Sequence, residues 1–258
     1  MKKSNKFLVA IILAVIIFNF GFILFIFFLP LKGNGIYTVE NRPLNSFSNL
    51  VVGGAYSVRV VEGKKNSVSI RAESNLIKYI TTEIRGDSLF VKYDRSIAAT
   101  KKVEITVTAN GLKSLKLESP SSVLLDNVNY KNFDISVLLE DSMGTPYLKA
   151  TGQIKHLKLI SSSFSKVDLK DLKCKTADIH MYGNSTVMTD ADTVNAFING
   201  KCKLIYYGNS KVINPQVVNG GRVIKYGSVD HDFKKPKHTL WVSYYHFVNK
   251  IFHFFSVF

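Results

Sequence analysis

A short triplet recurs through the second half of the chain at intervals near 20 residues. The first residue of each copy is small, the second is usually polar and the third is apolar, as in Ser165-Lys166-Val167. The first residues form a column, which we call the corner column, with steps of 24, 20, 20, 17 and 19: Ser121, Thr145, Ser165, Ser185, Cys202 and Gly221. Such a period predicts stacked coils, because one coil cannot bury its apolar face alone. A small residue at the column allows each coil to turn a corner without crowding its neighbour.

Residues 47–230 alternate apolar and polar side chains in short runs and show no helical period. Such alternation predicts strands, and turn-forming residues at 62–66 and 85–87 predict two hairpins. The predicted fold class is therefore all-β. It consists of a right-handed parallel β-helix with coils of about 20 residues, preceded by β-hairpins. A transmembrane helix is predicted before this domain and an amphipathic helix after it.

The N-terminal prediction rests on an uncharged apolar run that begins at Phe7 and ends at Leu31. A helix of that length would reach roughly 38 Å, enough to cross a bilayer core. Three lysines precede the run and one follows it, which favours a cytoplasmic N-terminus. Residues 1–32 are thus predicted to be an uncleaved signal anchor. The alternative is a cleaved signal peptide, for which 33–35 offers the small residues.

Three further segments complete the predicted organisation. Residues 33–46 are rich in Gly, Asn and Pro and are predicted to form a linker, followed by the β domain at 47–230. Residues 231–258 form a basic and aromatic tail with the pattern of an amphipathic helix. This tail either binds a membrane interface or caps the last coil. The residues for the membrane role are Trp241, Tyr244, Tyr245, Phe252 and Phe255.

The net charge of +15 comes from 34 basic and 19 acidic residues. The basic residues are scattered through alternating strands, which favours a solvated face over a nucleic-acid interface. No metal-ligand spacing, phosphate-binding loop or nucleophile motif occurs, so no catalytic residue, cofactor or metal site is predicted. Cys174 and Cys202 are interpreted as small packed residues, because the repeat places them at different positions of the coil.

Several runs resemble a known bacterial family. They are residues 157–169, 172–179 and 197–212, together with the opening strand at 52–58. These runs are similar to DUF2807, the putative auto-transporter adhesin head GIN domain family, and the likeness covers about residues 47–229. Cys202 and Gly221 stand where that family has serines. The resemblance implies an exported β-helical envelope domain, and the family's name suggests adhesion.

The predicted function is a non-catalytic, exported envelope interaction or scaffold module with an adhesin-like role. One alternative is a carbohydrate-active enzyme, with Asp168 and Asp190 on neighbouring coils and Lys170 and Lys211 beside them. Another is a periplasmic envelope-maintenance factor that acts through a protein partner. The predicted location is the bacterial cell envelope, anchored in the inner membrane with the domain outside the cytoplasm; a cleaved signal would release it to the periplasm or surface. The predicted partners are the membrane, through the N-terminal helix and the tail, and an unidentified protein or glycan, but no nucleic acid.

Overall fold

The structure is a computed structural model that describes residues 11–21, 29–139, 144–162 and 164–226. Strands account for 62% of these residues. Residues 11–21 are helical, and a single 3-10 turn, Ile77–Tyr79, separates two of the strands. The tail 231–258, with its predicted amphipathic helix, lies outside the described residues.

Nineteen strands occur in the described part of the chain. In chain order they are β1 (Leu31–Lys32), β2 (Tyr37–Pro43), β3 (Asn49–Gly53), β4 (Ser57–Glu62), β5 (Ser67–Glu73), β6 (Ile80–Arg85), β7 (Ser88–Tyr93), β8 (Ile97–Ala98), β9 (Glu104–Ala109), β10 (Ser114–Leu117), β11 (Ser122–Val137), β12 (Tyr147–Ser161), β13 (Lys166–Leu169), β14 (Leu172–Gly183), β15 (Thr186–Thr189), β16 (Thr193–Gly200), β17 (Lys203–Tyr206), β18 (Lys211–Val218) and β19 (Arg222–Lys225).

The C-terminal half is built from parallel ladders. Strand β11 pairs with β12, and the two halves of β12 pair with β13 and with β14. Two series of parallel pairs continue from there, one through β13, β15, β17 and β19 and the other through β14, β16 and β18. Each strand therefore satisfies its backbone groups on strands about one repeat earlier and one repeat later in the sequence.

The N-terminal half mixes parallel and antiparallel pairs. Strand β3 lies between β7 and β10, and β4 lies between β9 and β11, all in parallel. The pairs β2–β5, β5–β9 and β6–β7 are antiparallel. These strands join the C-terminal half in one 17-stranded sheet, whereas β1 and β8 form a separate two-stranded sheet.

The triplets follow the alternation of these strands. The third residues of the triplets, together with Val58 of β4 and Leu148 of β12, form a buried apolar ladder in which each residue is level with the next: Val58, Val123, Leu148, Val167, Val187, Leu204 and Val223. Burying a side chain of this size is worth about 1.5–3 kcal/mol relative to leaving it exposed. The second positions lie on the opposite, outer face, because successive strand residues point to opposite sides.

The fold-class prediction was wrong. The described chain is mostly β, but 17 of its strands form one mixed sheet rather than a regular β-helix preceded by hairpins. Strands β11 and β12, of 16 and 15 residues, are much longer than the neighbouring β13 and β15. The turn at 62–66 does not form a hairpin, because β9 lies between β4 and β5 and pairs with both, whereas residues 85–87 connect the antiparallel neighbours β6 and β7.

The prediction of a transmembrane helix is also corrected. Among the described residues, no helix is long and apolar enough to span a bilayer. The predicted end of the span, Leu31, lies in strand β1, where its backbone N–H donates to the Ser96 carbonyl at 2.9 Å. Leu31 therefore has an extended backbone that is hydrogen-bonded to the domain, and it is not the end of a helix. The predicted start, Phe7, lies outside the described residues.

A buried carboxylate holds the segment before β2 against the domain. Glu73 is only 1% exposed and accepts hydrogen bonds from Gly35 N at 2.7 Å, Thr100 N at 2.9 Å and the Thr100 hydroxyl at 2.9 Å. A Cβ on Gly33 would lie 1.9 Å from Glu73 Oε2, so only glycine allows this close approach. Residues 33–46, predicted as a linker, are therefore fixed here and then enter β2.

We expect Glu73 to make stability depend on pH in the acid range. Burial opposes its ionisation, but the bonds from Thr100 and Gly35 outweigh burial and lower the pKa of Glu73. A lowered folded-state pKa adds stability that is complete above the unfolded value, about 4.3, and is lost as the pH falls through the folded value. Glu73→Gln should therefore be less stable than wild type at pH 7, and the difference should narrow below about pH 4.

Urea unfolding of both chains between pH 7 and pH 3 tests this expectation. The matched control is Glu104→Gln, which removes an exposed partner of Arg71. Its curve should stay close to that of wild type, because exposed ion pairs contribute little. If the loss of unfolding free energy in Glu73→Gln stayed constant between pH 7 and pH 3, that result would contradict the role given to the ionised carboxylate.

Candidate functional site

The register places most of the corner column at one level of the fold. The N–H groups that follow it donate to carbonyls of the preceding layer, as Thr186 N does to Ser165 O at 2.8 Å and Arg222 N to Cys202 O at 2.9 Å. In the layer of β12 the column passes through Pro146, whose carbonyl accepts from Lys166 N at 3.0 Å. Thr145 is exposed and lies one residue outside the column.

The column side chains form short polar contacts inside the fold. The Ser121 hydroxyl donates to Gly54 O at 2.5 Å, and the Ser165 and Ser161 hydroxyls are 2.5 Å apart. Ser185 donates to Cys202 Sγ at 3.3 Å. These hydroxyls are buried and satisfied by neighbouring protein groups, so packing accounts for them and nothing orients them toward a substrate.

Cys202 and Gly221 occupy column positions at which serine was expected, and each has its own explanation. A Cβ at Gly221 would lie 2.5 Å from Ile198 Cγ2, so serine does not fit there. Cys202 has room for its sulfur, which lies 3.4 Å from the Gly183 carbonyl. Cys174 is also buried and free, and burial raises the pKa of its thiol to about 11.

A groove lies along one side of the stacked layers, beside the turns that follow β13, β15 and β17. Its volume is about 1020 Å³, and its lining includes six lysines and three aspartates. The lysines are Lys131, Lys155, Lys170, Lys173, Lys175 and Lys211. The groove therefore carries a net positive charge, and amide and hydroxyl groups from Asn129, Gln153 and Ser210 lie among the lysines.

Three of these lysines stack in register on adjacent strands. Lys131 is level with Lys155, because the residues before and after them pair in register, as Tyr130 with Ile154 and Asn132 with His156. The next strand repeats the arrangement and places Lys175 level with Lys155. We call Lys131, Lys155 and Lys175 the lysine ladder. All three are exposed, and among the described residues none of them belongs to an ion pair.

The lysine ladder was not predicted, because the basic residues were interpreted as scattered over a solvated face. The ladder residues are separated by steps of 24 and 20, the first two steps of the predicted corner column. The same repeat that predicted the column would therefore have aligned the lysines. The signal in the sequence was therefore the repeat itself, which aligns charged residues as well as small ones.

The carboxylates proposed for an enzyme occupy different environments. Asp168 is 5% exposed and level with Met188, and its carboxylate lies 3.7 Å from Lys170 Nζ. Asp190 lines the groove together with Lys170 and Lys211. Asp168 is thus buried and held by its own turn, whereas Asp190 is exposed to solvent. The described residues contain no group of three or more His, Cys, Asp or Glu side chains suited to a metal ion.

Five aromatic residues of the tail are predicted to contact a membrane interface. Trp241, Tyr244, Tyr245, Phe252 and Phe255 lie outside the described residues. Their predicted role at a membrane interface therefore remains a prediction.

Comparison with protein families gives one match. The sequence model of the family described as "Putative auto-transporter adhesin, head GIN domain" (DUF2807) matches residues 46–210. The chain belongs to this family. The resemblance noted in the sequence is thereby confirmed, and the matched range includes the whole lysine ladder and all of the corner column before Gly221. No curated protein matches the chain.

Solved structures of similar fold come from species of Bacteroides and Parabacteroides. A putative adhesin from Bacteroides fragilis is 16% identical with a TM-score of 0.60, covering 76% of this chain and 99% of that one. A putative adhesin from Parabacteroides merdae is 16% identical over 76% and 98% of the two chains, with a TM-score of 0.45. A putative lipid binding protein from Parabacteroides distasonis is 15% identical over 76% and 99%, with a TM-score of 0.46. At these identities, the Bacteroides fragilis structure supports the fold of the GIN domain alone.

Proposed function

We propose that the chain is a non-catalytic, adhesin-like binding module that acts outside the cytoplasm in a bacterial cell envelope, with 47–230 as its binding domain. The observation that carries the proposal is the family match over residues 46–210. An open, lysine-lined groove on the regular layers supports it, since stacked repeats present extended binding surfaces. The buried, locally bonded hydroxyls of the corner column support a structural rather than catalytic role for these serines.

The side of the membrane on which the domain lies tests this function directly. The native cysteines are both buried, so the chain should not react with a membrane-impermeant maleimide while folded. Lys64→Cys adds one exposed thiol on the turn between β4 and β5. We expect the full chain with this substitution to be labelled on cells whose cytoplasmic membrane is intact.

Two controls accompany the labelling. The unsubstituted chain should stay unlabelled on the same cells, and lysed cells should label the Lys64→Cys chain regardless of its location. Labelling that occurs only after lysis would place the domain in the cytoplasm and would contradict an adhesin-like function.

A further inference from the structure

We propose that the lysine ladder and its groove bind an acidic polysaccharide. This assignment rests on the proposed function and names the class of ligand for the same domain. Neighbouring strands are about 4.8 Å apart, so three level lysines place three positive charges within roughly 10 Å. Like charges directly opposite each other destabilise a sheet. An anionic chain that follows the ladder would offset that repulsion.

A second ladder in the same strands shows the usual arrangement of charges. Asp134, Lys158 and Asp178 are level with one another on β11, β12 and β14, so their charges alternate. Asp178 also accepts a hydrogen bond from Asn195 Nδ2 at 2.6 Å. Charges of opposite sign therefore alternate in this ladder, whereas Lys131, Lys155 and Lys175 place the same charge at three successive levels.

The acidic groups near the groove offset only part of its charge, because three aspartates face six lysines. Asp171 is already paired with Lys149 at 2.7 Å. Asp192 follows Lys175 in register and ends the ladder, and Asp190 lies on the neighbouring turn. Lys173 and Lys211 add charge on the same surface, and in the described part of the chain neither belongs to an ion pair.

The other lining groups favour a glycan over a nucleic acid. Gln153 Nε2 donates to Asn129 Oδ1 at 2.8 Å, which leaves amide groups beside the ladder that can bond sugar hydroxyls. Asp190 and Asp192 also line the groove, and their carboxylates can accept hydrogen bonds from sugar hydroxyls. Among the described residues that line the groove, Tyr130 is the one aromatic residue; it is buried against Phe133 and offers no open ring face for a base to stack on.

Binding of oligogalacturonate to the purified full chain in nonionic detergent tests the proposal. The variant is Lys131→Gln/Lys155→Gln/Lys175→Gln, and we expect it to bind at least about 30-fold more weakly at low salt, because up to three charge contacts are lost. The slope of log affinity against log salt should fall by about two to three. The control Lys64→Gln/Lys65→Gln/Lys201→Gln removes the same charge from exposed residues outside the groove and should change affinity by less than about three-fold.

Each other outcome contradicts the assignment. If both triple variants lose affinity equally, the glycan is attracted by net charge and not by a defined site. If the ladder variant binds as tightly as wild type, the ladder does not belong to the binding site. Single-stranded DNA or anionic vesicles that bind as tightly as the glycan, with the same dependence on the ladder, would assign the surface to those ligands instead.

Stability measured at low salt gives an independent readout. The ladder variant should unfold at higher urea than wild type, with a difference that closes as salt rises, because substitution removes the repulsion. A ladder variant less stable than wild type would contradict repulsion within the ladder. If the domain is labelled outside the cell but binds no acidic glycan, only the proposed ligand is wrong. If the labelling places the domain in the cytoplasm, the proposed function is wrong.

Discussion

Gly152→Ala should cost the fold at least about 4 kcal/mol, a large part of the stability of an ordinary domain. Gly152 has a φ of +106°, a backbone conformation that side chains rarely adopt. A Cβ at this position would lie 2.2 Å from the Val128 carbonyl oxygen and 2.5 Å from Val128 N. Both atoms belong to the backbone of β11, so relief of the clash requires the two strands to separate.

The measurement is the urea midpoint of the full chain in nonionic detergent, followed by far-UV circular dichroism. The control is Gly86→Ala, at the tip of the hairpin between β6 and β7. Gly86 has a φ of +57° and nothing within 4 Å of an added Cβ, so its loss should cost only about 1 kcal/mol. If the Gly152 variant does not fold, the soluble yields of the two variants give the same ranking. Similar midpoints for the two would contradict the strand contact.

The same contact explains where the predicted repeat went out of step. Strand β11 carries a bulge, so that Ser122 is level with Tyr147, 25 residues later, whereas Val128 is level with Gly152, 24 residues later. Asn127 occupies the bulge with a φ of 50°. The predicted step of 24 therefore holds beyond the bulge and fails before it. For that reason Pro146 lies in the corner column and Thr145 does not.

The triplet itself was predictable because it reflects a local alternation. Once the start of a strand is known, strand geometry explains the triplet, because a small residue at the corner is followed by one residue that points outward and one that points inward. In the layers separated by equal steps, Ser165 and Ser185 precede residues that are level with each other, Lys166 and Thr186. The lysine ladder obeys the same repeat and could have been found from it.

The N-terminal half was less predictable because its pairing is not local. Alternation identifies a strand but not its neighbour, and nothing in residues 57–73 indicates that β9 separates β4 from β5. Glu73 gives a similar case. A glutamate at the end of a strand resembles any solvated residue in sequence, and its burial depends on donors 27 and 38 residues away.

Phe133→Ala should destabilise the fold by about 3–5 kcal/mol. Phe133 is 1% exposed, and its ring stacks on that of Tyr130, with centroids 4.7 Å apart and planes 10° apart. Along the parallel ladder its level neighbours become smaller, from Leu157 to Ala177. The small neighbours cannot fill the space left by the ring, so a cavity would remain beside the groove-lining Tyr130.

Phe133→Leu is the matched comparison, because it keeps an apolar side chain of intermediate volume. It should cost less than about 1.5 kcal/mol if filling the interior is the main contribution of the ring. The same urea experiment separates two contributions. A leucine variant as unstable as the alanine variant would mean that stacking on Tyr130, rather than volume, provides the stability. An alanine variant within about 1 kcal/mol of wild type would contradict the close packing of these layers.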